Sequence, residues 1–391
     1  MSAPRGPLLV VAGEASGDLA AAPVVRRRAD AFGMGGDALR AAGCEIVADV
    51  RDSTAMGLGG VSARALGILR AWRSITREAR RRRPAAALLV NYTEFNIRLA
   101  RELRRLGTRV VFYGAPQVWA WRPGRARHIA PLVDHMAVMF PFEEALWRAA
   151  GAPTTWVGHH ALEAPRPPRA AARDRLGLST HAEAVAILPG SRPHEVRRLL
   201  PPMLAALADV RAARGTVEAR VLLAPSLDRA TAASATAQAA RAGVEAVLAG
   251  SSGIAAHLAA FDVALTASGT ASLECVISGT PPVIAYRVDL VTELAARALL
   301  KTPHVGLPNI VLGRRAFAEL LQRDATAARM AEEVSRVLDA PEAARADAAE
   351  VVRRLTREGP PPSARVADLL TGSSGPDATR GAPRAAVDAR P

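Results

Sequence analysis

Nine short apolar runs recur along the chain, at 8–12, 86–90, 109–113, 136–139, 184–188, 217–223, 244–248, 263–266 and 282–286. Each has the length of a buried strand and is too short for a helix. Most are separated by 10–25 residues of Ala-, Leu- and Arg-rich sequence with helical spacing. That alternation predicts βαβ units and parallel sheets covered by helices on both faces. Nine strands are many for one doubly wound sheet, so two sheets are expected.

The boundary is expected near 163–175, where Pro165, Pro167 and Pro168 fall in a stretch without an apolar run. This gives a first Rossmann-like domain over 1–163 and a second over 176–371, whose last helices are free to pack back on the first. Residues 372–391 are rich in Gly, Pro, Ser and Ala without periodicity and read as a disordered tail. The first apolar run has only five residues, and no later stretch reaches 18. The expectation is a cytosolic chain, at most associated with a membrane.

The charge balance narrows the partners. There are 51 Lys+Arg against 37 Asp+Glu, a net +14, yet Lys301 is the only lysine. The arginines are spread along the whole chain, with no aromatic-interleaved basic motif, so nucleic acid is not expected as a partner. Anionic small molecules and acidic lipid surfaces remain. Residues 65–83 concentrate the charge: Ala65, Ile68, Leu69, Trp72 and Ile75 mark one helical face, beside Arg70, Arg73, Arg77 and the run 80–83. That pattern suits docking on anionic headgroups. A helix packed on the sheet with solvated arginines would read the same way. Cys44 and Cys275 stand in no metal-ligand spacing, which excludes a disulfide scaffold or a CxxC zinc site.

Two sheets facing each other create a cleft at the carboxyl ends of their strands. Four strand-to-helix loops can supply it with chemistry. The first, VAGEASGD (11–18), has Gly13 and Gly17 where backbone must approach a ligand, and Ser16 or Asp18 as helix caps. It lacks GxGxxG spacing, so no dinucleotide fingerprint is present, and a plain capped turn remains open. The second, LPGSR (188–192), ends in Gly190, Ser191 and Arg192. There open N–H groups, a helix dipole and a guanidinium converge on an anion. The third, ASGTASLE (267–274), offers Ser268, Gly269 and Thr270 as a diphosphate-sized seat. Glu274, one turn further on, suits a ribose diol or is simply a solvated helix glutamate. The fourth, PQVWAWRPGR (116–125), places Trp119 and Trp121 on a loop at the cleft wall. No DxD or clustered Asp/His set adjoins either anion loop, so neither a metal nor another cofactor is expected.

These segments, with MGGDALRAAGCE (34–45), AMGL (55–58), FPFE (140–143), VGHH (157–160), PPVIAYR (281–287), GLPNIVLGR (306–314) and ELLQ (319–322), resemble bacterial lipid-A-disaccharide synthases. That family consists of inverting glycosyltransferases of the GT-B class. The resemblance implies a GT-B fold, two Rossmann-like domains with parallel sheets facing across a cleft. It implies transfer of 2,3-diacylglucosamine from its UDP derivative to 2,3-diacylglucosamine 1-phosphate, giving a β-1,6-linked disaccharide at the inner face of the cytoplasmic membrane. It maps the phosphate-binding arginine onto Arg192, the LPN asparagine onto Asn309, the diphosphate loop onto 268–270 and a glutamine onto Gln322. Gly13, Glu14, Ser16, Met56 and Trp119 are the expected contacts for substrate.

One segment departs from the family pattern. A D-x-P-D-F-N type sequence, whose first aspartate is the family's catalytic base, is here NYTEFN (91–96). The carboxamide of Asn91 takes no proton at neutral pH. Glu94 keeps the second acidic position and is the expected substitute, with Glu14 and Asp18 next. The alternatives are a related UDP-sugar enzyme with a changed acceptor, or a catalytically silent sugar-nucleotide or lipid binder.

Overall fold

The computed structural model describes residues 6–28, 30–50, 60–250, 253–288 and 302–372. Met56, the AMGL segment and all but the first residue of the expected tail lie outside them.

Two all-parallel sheets form the frame. The first is built from β1 (Leu8–Ala12), β2 (Ala31–Gly35), β3 (Glu45–Asp49), β4 (Ala86–Val90), β5 (Arg109–Tyr113), β6 (His135–Val138) and β7 (Thr154–Trp156) in the order 3-2-1-4-5-6-7. The second holds β8 (Glu183–Leu188), β9 (Val217–Leu223), β10 (Glu245–Leu248), β11 (Val263–Ala267), β12 (Pro282–Tyr286) and β13 (Glu319–Leu321) in the order 10-9-8-11-12-13. Central strands such as LLVVA and AALLV are wholly buried, as strands covered on both faces must be. The order reverses between β1 and β4 and between β8 and β11, and ligands of such sheets bind at that reversal.

All nine expected strands are present, and four more join them. Of the additional strands, β2 bears two glycines, β7 and β13 are three residues long, and β3 (EIVAD) has only three apolar residues between acidic ends. Gly33 in β2 shows why: a Cβ there would stand 1.8 Å from the Val10 carbonyl oxygen, so only glycine lets the two strands pair.

The stretch read as a linker is shorter than expected. It contains the helix Arg169–Arg175, whose Arg173 is buried and bonds to the Ala260 carbonyl at 2.9 Å and Asp262 at 2.9 Å. Only 164–168 stay irregular between that helix and the preceding turn. The chain then returns. Helix Pro362–Thr371 packs on the first sheet, with Arg109 Nε donating to Leu369 O at 2.9 Å and Arg365 Nη1 to Val157 O at 2.9 Å. Val366 and Leu370 share one apolar cluster with β1, β4 and helix Ala15–Val25. Among the described residues no helix is long and apolar enough to cross a membrane.

Candidate functional site in the cleft between the two sheets

Loops from the ends of β1, β4 and β5 meet the start of helix Thr270–Ile277, which follows β11, around one cavity of about 1360 Å³. Glu14, Ser16, Asn91, Glu94 and Thr270 line it, so five of the residues singled out in the sequence come together there. A second, small space of about 60 Å³ shares Ser16, Asn91 and Thr270 and adds Glu143, His159 and His160.

Asn91 sits on strained backbone. It and Tyr92 have φ of 48° and 42°, the left-handed region, at a cost of order 1–3 kcal/mol for each non-glycine residue. Asparagine tolerates that region best among such residues. The turn is held from below by buried Asn96, whose Nδ2 donates to Asn91 O at 2.9 Å and Val90 O at 3.3 Å. Asn91 Nδ2 in turn donates to Ser16 Oγ at 3.4 Å. Gly13 has a steric requirement: a Cβ there would meet the Tyr92 ring at 2.1 Å.

Neither Ser16 nor Asp18 caps its own helix, contrary to expectation. Asp18 is buried and accepts from the backbone N–H groups of Gly36, Ala38 and Leu39 at 2.7, 2.9 and 3.2 Å. It thereby caps the neighbouring helix Asp37–Ala41. Burial raises its pKa against the pull of those three bonds.

Glu94 does not reach inward as a proton acceptor would. Its carboxylate is largely exposed and pairs with Arg125 Nη2 at 2.6 Å. Glu143, which the sequence reading passed over, is 1% exposed and lies in the small space beside Asn91. It accepts from Trp119 Nε1 at 3.0 Å and Phe140 N at 3.2 Å. Burial pushes its pKa up to about 7, against the effect of those bonds. The FPFE motif was visible, but a glutamate in a first helical turn reads as a cap. Trp119 is therefore occupied with Glu143, and of the two loop tryptophans it is Trp121 that lines the cavity.

Across the cleft, the LPGSR turn is not open as expected. Buried Glu195 folds its carboxylate into the seat, accepting from Ser191 N at 2.9 Å, Arg192 N at 3.2 Å and Arg192 Nη1 at 2.9 Å. Gly190 leaves room for it, since a Cβ there would lie 2.5 Å from Glu195 Oε2. Ser191 caps nothing; Arg192 is the N-cap residue of helix Pro193–Arg214. Arg192 Nη2 stands 4.0 Å from Glu14 on the opposite domain.

The other loop is emptier. Gly269 is the N-cap of helix Thr270–Ile277, with φ of 151° and nothing within 4 Å of its missing side chain. Ser268 Oγ donates to Val305 O at 3.4 Å. Half-buried Glu274, one turn in, has its pKa raised to about 7 by burial, with Arg166 opposing. Asn309 and Gln322 serve the framework instead of the cleft surface. Asn309 is fully buried and spends both its oxygen and its amide group on Ala316, Phe317 and Glu319. Gln322 Oε1 accepts from Val288 N at 2.8 Å. Among the described residues no group of three or more His, Cys, Asp or Glu is placed to hold a metal ion.

Helix Gly60–Arg82 carries the basic segment and packs on the sheet. Ala71, Ile75 and Ala79 are buried against the sheet, while Ala65, Ile68, Leu69 and Trp72 line the cavity. Several of its arginines are neutralised: Arg82 by Glu45 and Glu78, Arg81 by Glu78, Arg80 by Glu102.

Solved structures share this architecture. A UDP-GlcNAc 2-epimerase from Neisseria meningitidis bound to UDP-GlcNAc superposes with a TM-score of 0.62 at 11% identity, covering 93% of this chain and 99% of its own. The calicheamicin glycosyltransferase superposes at 0.54 with 16% identity, covering 96% and 100%. At such identities the likeness concerns the fold, which is GT-B. Sequence relatives are much nearer. A lipid-A-disaccharide synthase of Anaeromyxobacter dehalogenans is 43% identical over 384 residues, covering 93% of this chain and 97% of the relative. One of Myxococcus xanthus is 44% identical over 339 residues, covering 84% and 87%. The family model for lipid-A-disaccharide synthetase matches residues 8–363, and the chain belongs to that family.

Proposed function

We propose that the chain transfers 2,3-diacylglucosamine from UDP to 2,3-diacylglucosamine 1-phosphate. One observation carries the reading: a single cavity runs from Thr270, at an open helix N-terminus, to the apolar wall of Ile68, Leu69, Trp72 and Phe95. Such a space takes a nucleotide diphosphate at one end and acyl chains at the other. In this reading the N–H groups at the start of helix Thr270–Ile277 hold the diphosphate, and Glu274 holds the ribose. Arg192 turns from Glu195 and Glu14 onto the departing phosphate.

The acceptor hydroxyl oxygen bonds to the anomeric carbon as the carbon–oxygen bond to UDP breaks, and its electron pair leaves with the β-phosphate. The hydroxyl proton needs a base. Glu143, beside Asn91 and with a pKa near neutrality, is the carboxylate suited to receive it. Asn91 contributes a hydrogen bond only. Exposed Leu66 and Leu69 with Arg70 and Arg73 give the cavity mouth a face for the anionic inner surface of the cytoplasmic membrane, on which the protein works as a peripheral enzyme.

The test is incubation of the purified protein with both acylated sugars. Disaccharide and UDP in equal amounts support the reading. UDP without disaccharide points to another acceptor, and UDP-sugar binding without turnover to a silent binder.

A further inference from the structure

Charges at one end of the cavity do not balance. Arg98, Arg122 and Arg125 line it with Glu94, and the one ion pair among them joins Arg125 to Glu94 at 2.6 Å. The guanidinium groups of Arg98 and Arg122 are exposed, and no hydrogen bond or ion pair engages them among the described residues. Glu94 and Arg98 lie one turn apart on helix Thr93–Arg105, hence on one face. Arg125 closes the 3₁₀ turn Pro123–Arg125, which Arg122 directly precedes. The bridge to Glu94 fastens these two elements, so the cavity lining that they share carries three guanidinium groups and one carboxylate. Beside them the same wall is aromatic, with Phe95 and Trp121.

Two uncompensated guanidinium groups next to an apolar wall fit an amphiphile whose polar end is a dianion. The planar fork of an arginine matches two phosphate oxygens with parallel charge-assisted hydrogen bonds. We propose that Arg98, Arg122 and Arg125 form the seat for a phosphomonoester on the acceptor, with Glu94 as the brace that positions Arg125. The assignment rests on the proposed function, which makes the acceptor an acylated sugar phosphate. It gives the cavity its polarity: donor diphosphate at Thr270, acceptor phosphate at the arginines, and the reacting hydroxyl between them near Asn91.

Trp72 and Trp121 line the cavity, so intrinsic fluorescence reports its occupancy. The full chain and its Arg98→Ala/Arg122→Ala variant are titrated with short-chain 2,3-diacylglucosamine 1-phosphate and with the same lipid lacking the phosphate. The unaltered protein should favour the phosphorylated lipid by about tenfold or more, and the variant should bind the two within about threefold. UDP affinity should be the same in both, showing an intact second domain. A preference that persists in the variant, or is absent in the unaltered protein, overturns the assignment.

Vesicle binding distinguishes the two sources of phosphate. The variant should pellet with anionic vesicles as the unaltered protein does. Lost vesicle binding with intact discrimination between the two lipids would assign the arginines to lipid headgroups and overturn the proposal. Glu94→Gln should raise KM for the phosphorylated acceptor and leave kcat alone. A fall in kcat with KM unchanged would make Glu94 the proton acceptor and overturn its role as a brace. Phosphate preference without any disaccharide formation would refute the proposed transfer and leave this seat standing.

Discussion

The indole Nε1 of Trp119 donates to Glu143 Oε1 at 3.0 Å, and that bond orients a buried carboxylate toward the space it shares with Asn91. The two histidines in the same space do not compete for protons near neutrality. Burial lowers the His160 pKa to about 4 and holds His159 well below the ordinary imidazole value. Glu143 is therefore the group there that titrates near pH 7.

A pH profile tests this. Burial raises the Glu143 pKa from 4.5 to about 7, so the folded protein favours the protonated carboxyl. Its contribution to stability is complete below pH 4.5 and is lost as pH rises through about 7. Catalysis runs the other way, because a base must be ionised. We expect kcat/KM to climb through about pH 7. Glu143→Gln should abolish that limb and lower kcat by about 10²–10⁴-fold. Its Tm at pH 8 should be at or above that of the unaltered protein. A fall in Tm with the limb in place would reduce Glu143 to a helix cap.

Gly13→Ala should be disproportionately costly for an added methyl group. The new Cβ would overlap the Tyr92 ring, which stacks on Phe95 at 5.2 Å. Tyr92 is on left-handed backbone and has little freedom to yield. Overpacking of this kind costs about 1–3 kcal/mol, read as a lower denaturation midpoint. Turnover should fall further than stability, since the displaced loop carries Asn91.

Much of this site was legible because its residues occupy loops with strong local grammar. Gly269–Thr270 and the β1 and β4 loops follow apolar runs directly, and the order of motifs marked the family. Three kinds of information were not local. Glu195 fills the LPGSR seat from the next helical turn, which open-turn reasoning does not anticipate. Asp18 caps a helix remote in sequence, and Asn309 closes a network with Phe317 and Glu319. Edge strands such as β7 and β13 are three residues long and draw their pairing from the sheet, not from hydrophobic pattern. Trp119 and Trp121 stand two residues apart on a short helix, and the partner that distinguishes them, Glu143, is 24 positions from Trp119.

Arg192→Ala should weaken UDP binding without touching the acceptor. A charge-assisted hydrogen bond contributes about 1.5–3 kcal/mol, or about 10–100-fold in affinity. The lower end is expected, because Arg192 gives up its contacts with Glu195 and Glu14 to make the new one. Calorimetry with UDP measures it. Unchanged affinity would place the diphosphate wholly on the Thr270 loop.

Leu66 and Leu69 are 53% and 41% exposed on helix Gly60–Arg82, and Leu69 also lines the cavity. Partly burying two leucines in a lipid interface is worth a few kcal/mol at most. Leu66→Ser/Leu69→Ser should therefore reduce partition onto anionic vesicles by about tenfold. High salt should release the unaltered protein as well, since the remaining attraction is from surface arginines. Binding that ignores both changes would leave this helix as a wall of the cavity only.

The pair Asn91 and Glu143 offers the strongest test of the catalytic reading. Both line the small space at the inner end of the cleft, and aspartate fits left-handed backbone as asparagine does. Asn91→Asp should place a carboxylate beside Ser16 Oγ, where Asn91 Nδ2 now donates, and raise kcat by about tenfold or more. Two carboxylates that serve one proton should not act additively. Glu143→Gln should be severe in the unaltered chain and mild when Asn91→Asp is present. UDP affinity should remain constant across all four proteins, because among the described residues no hydrogen bond or ion pair joins either side chain to the second domain's anion loops. Equal losses from Glu143→Gln in both backgrounds would show that Glu143 supports the fold of the loop and that the proton leaves by another route.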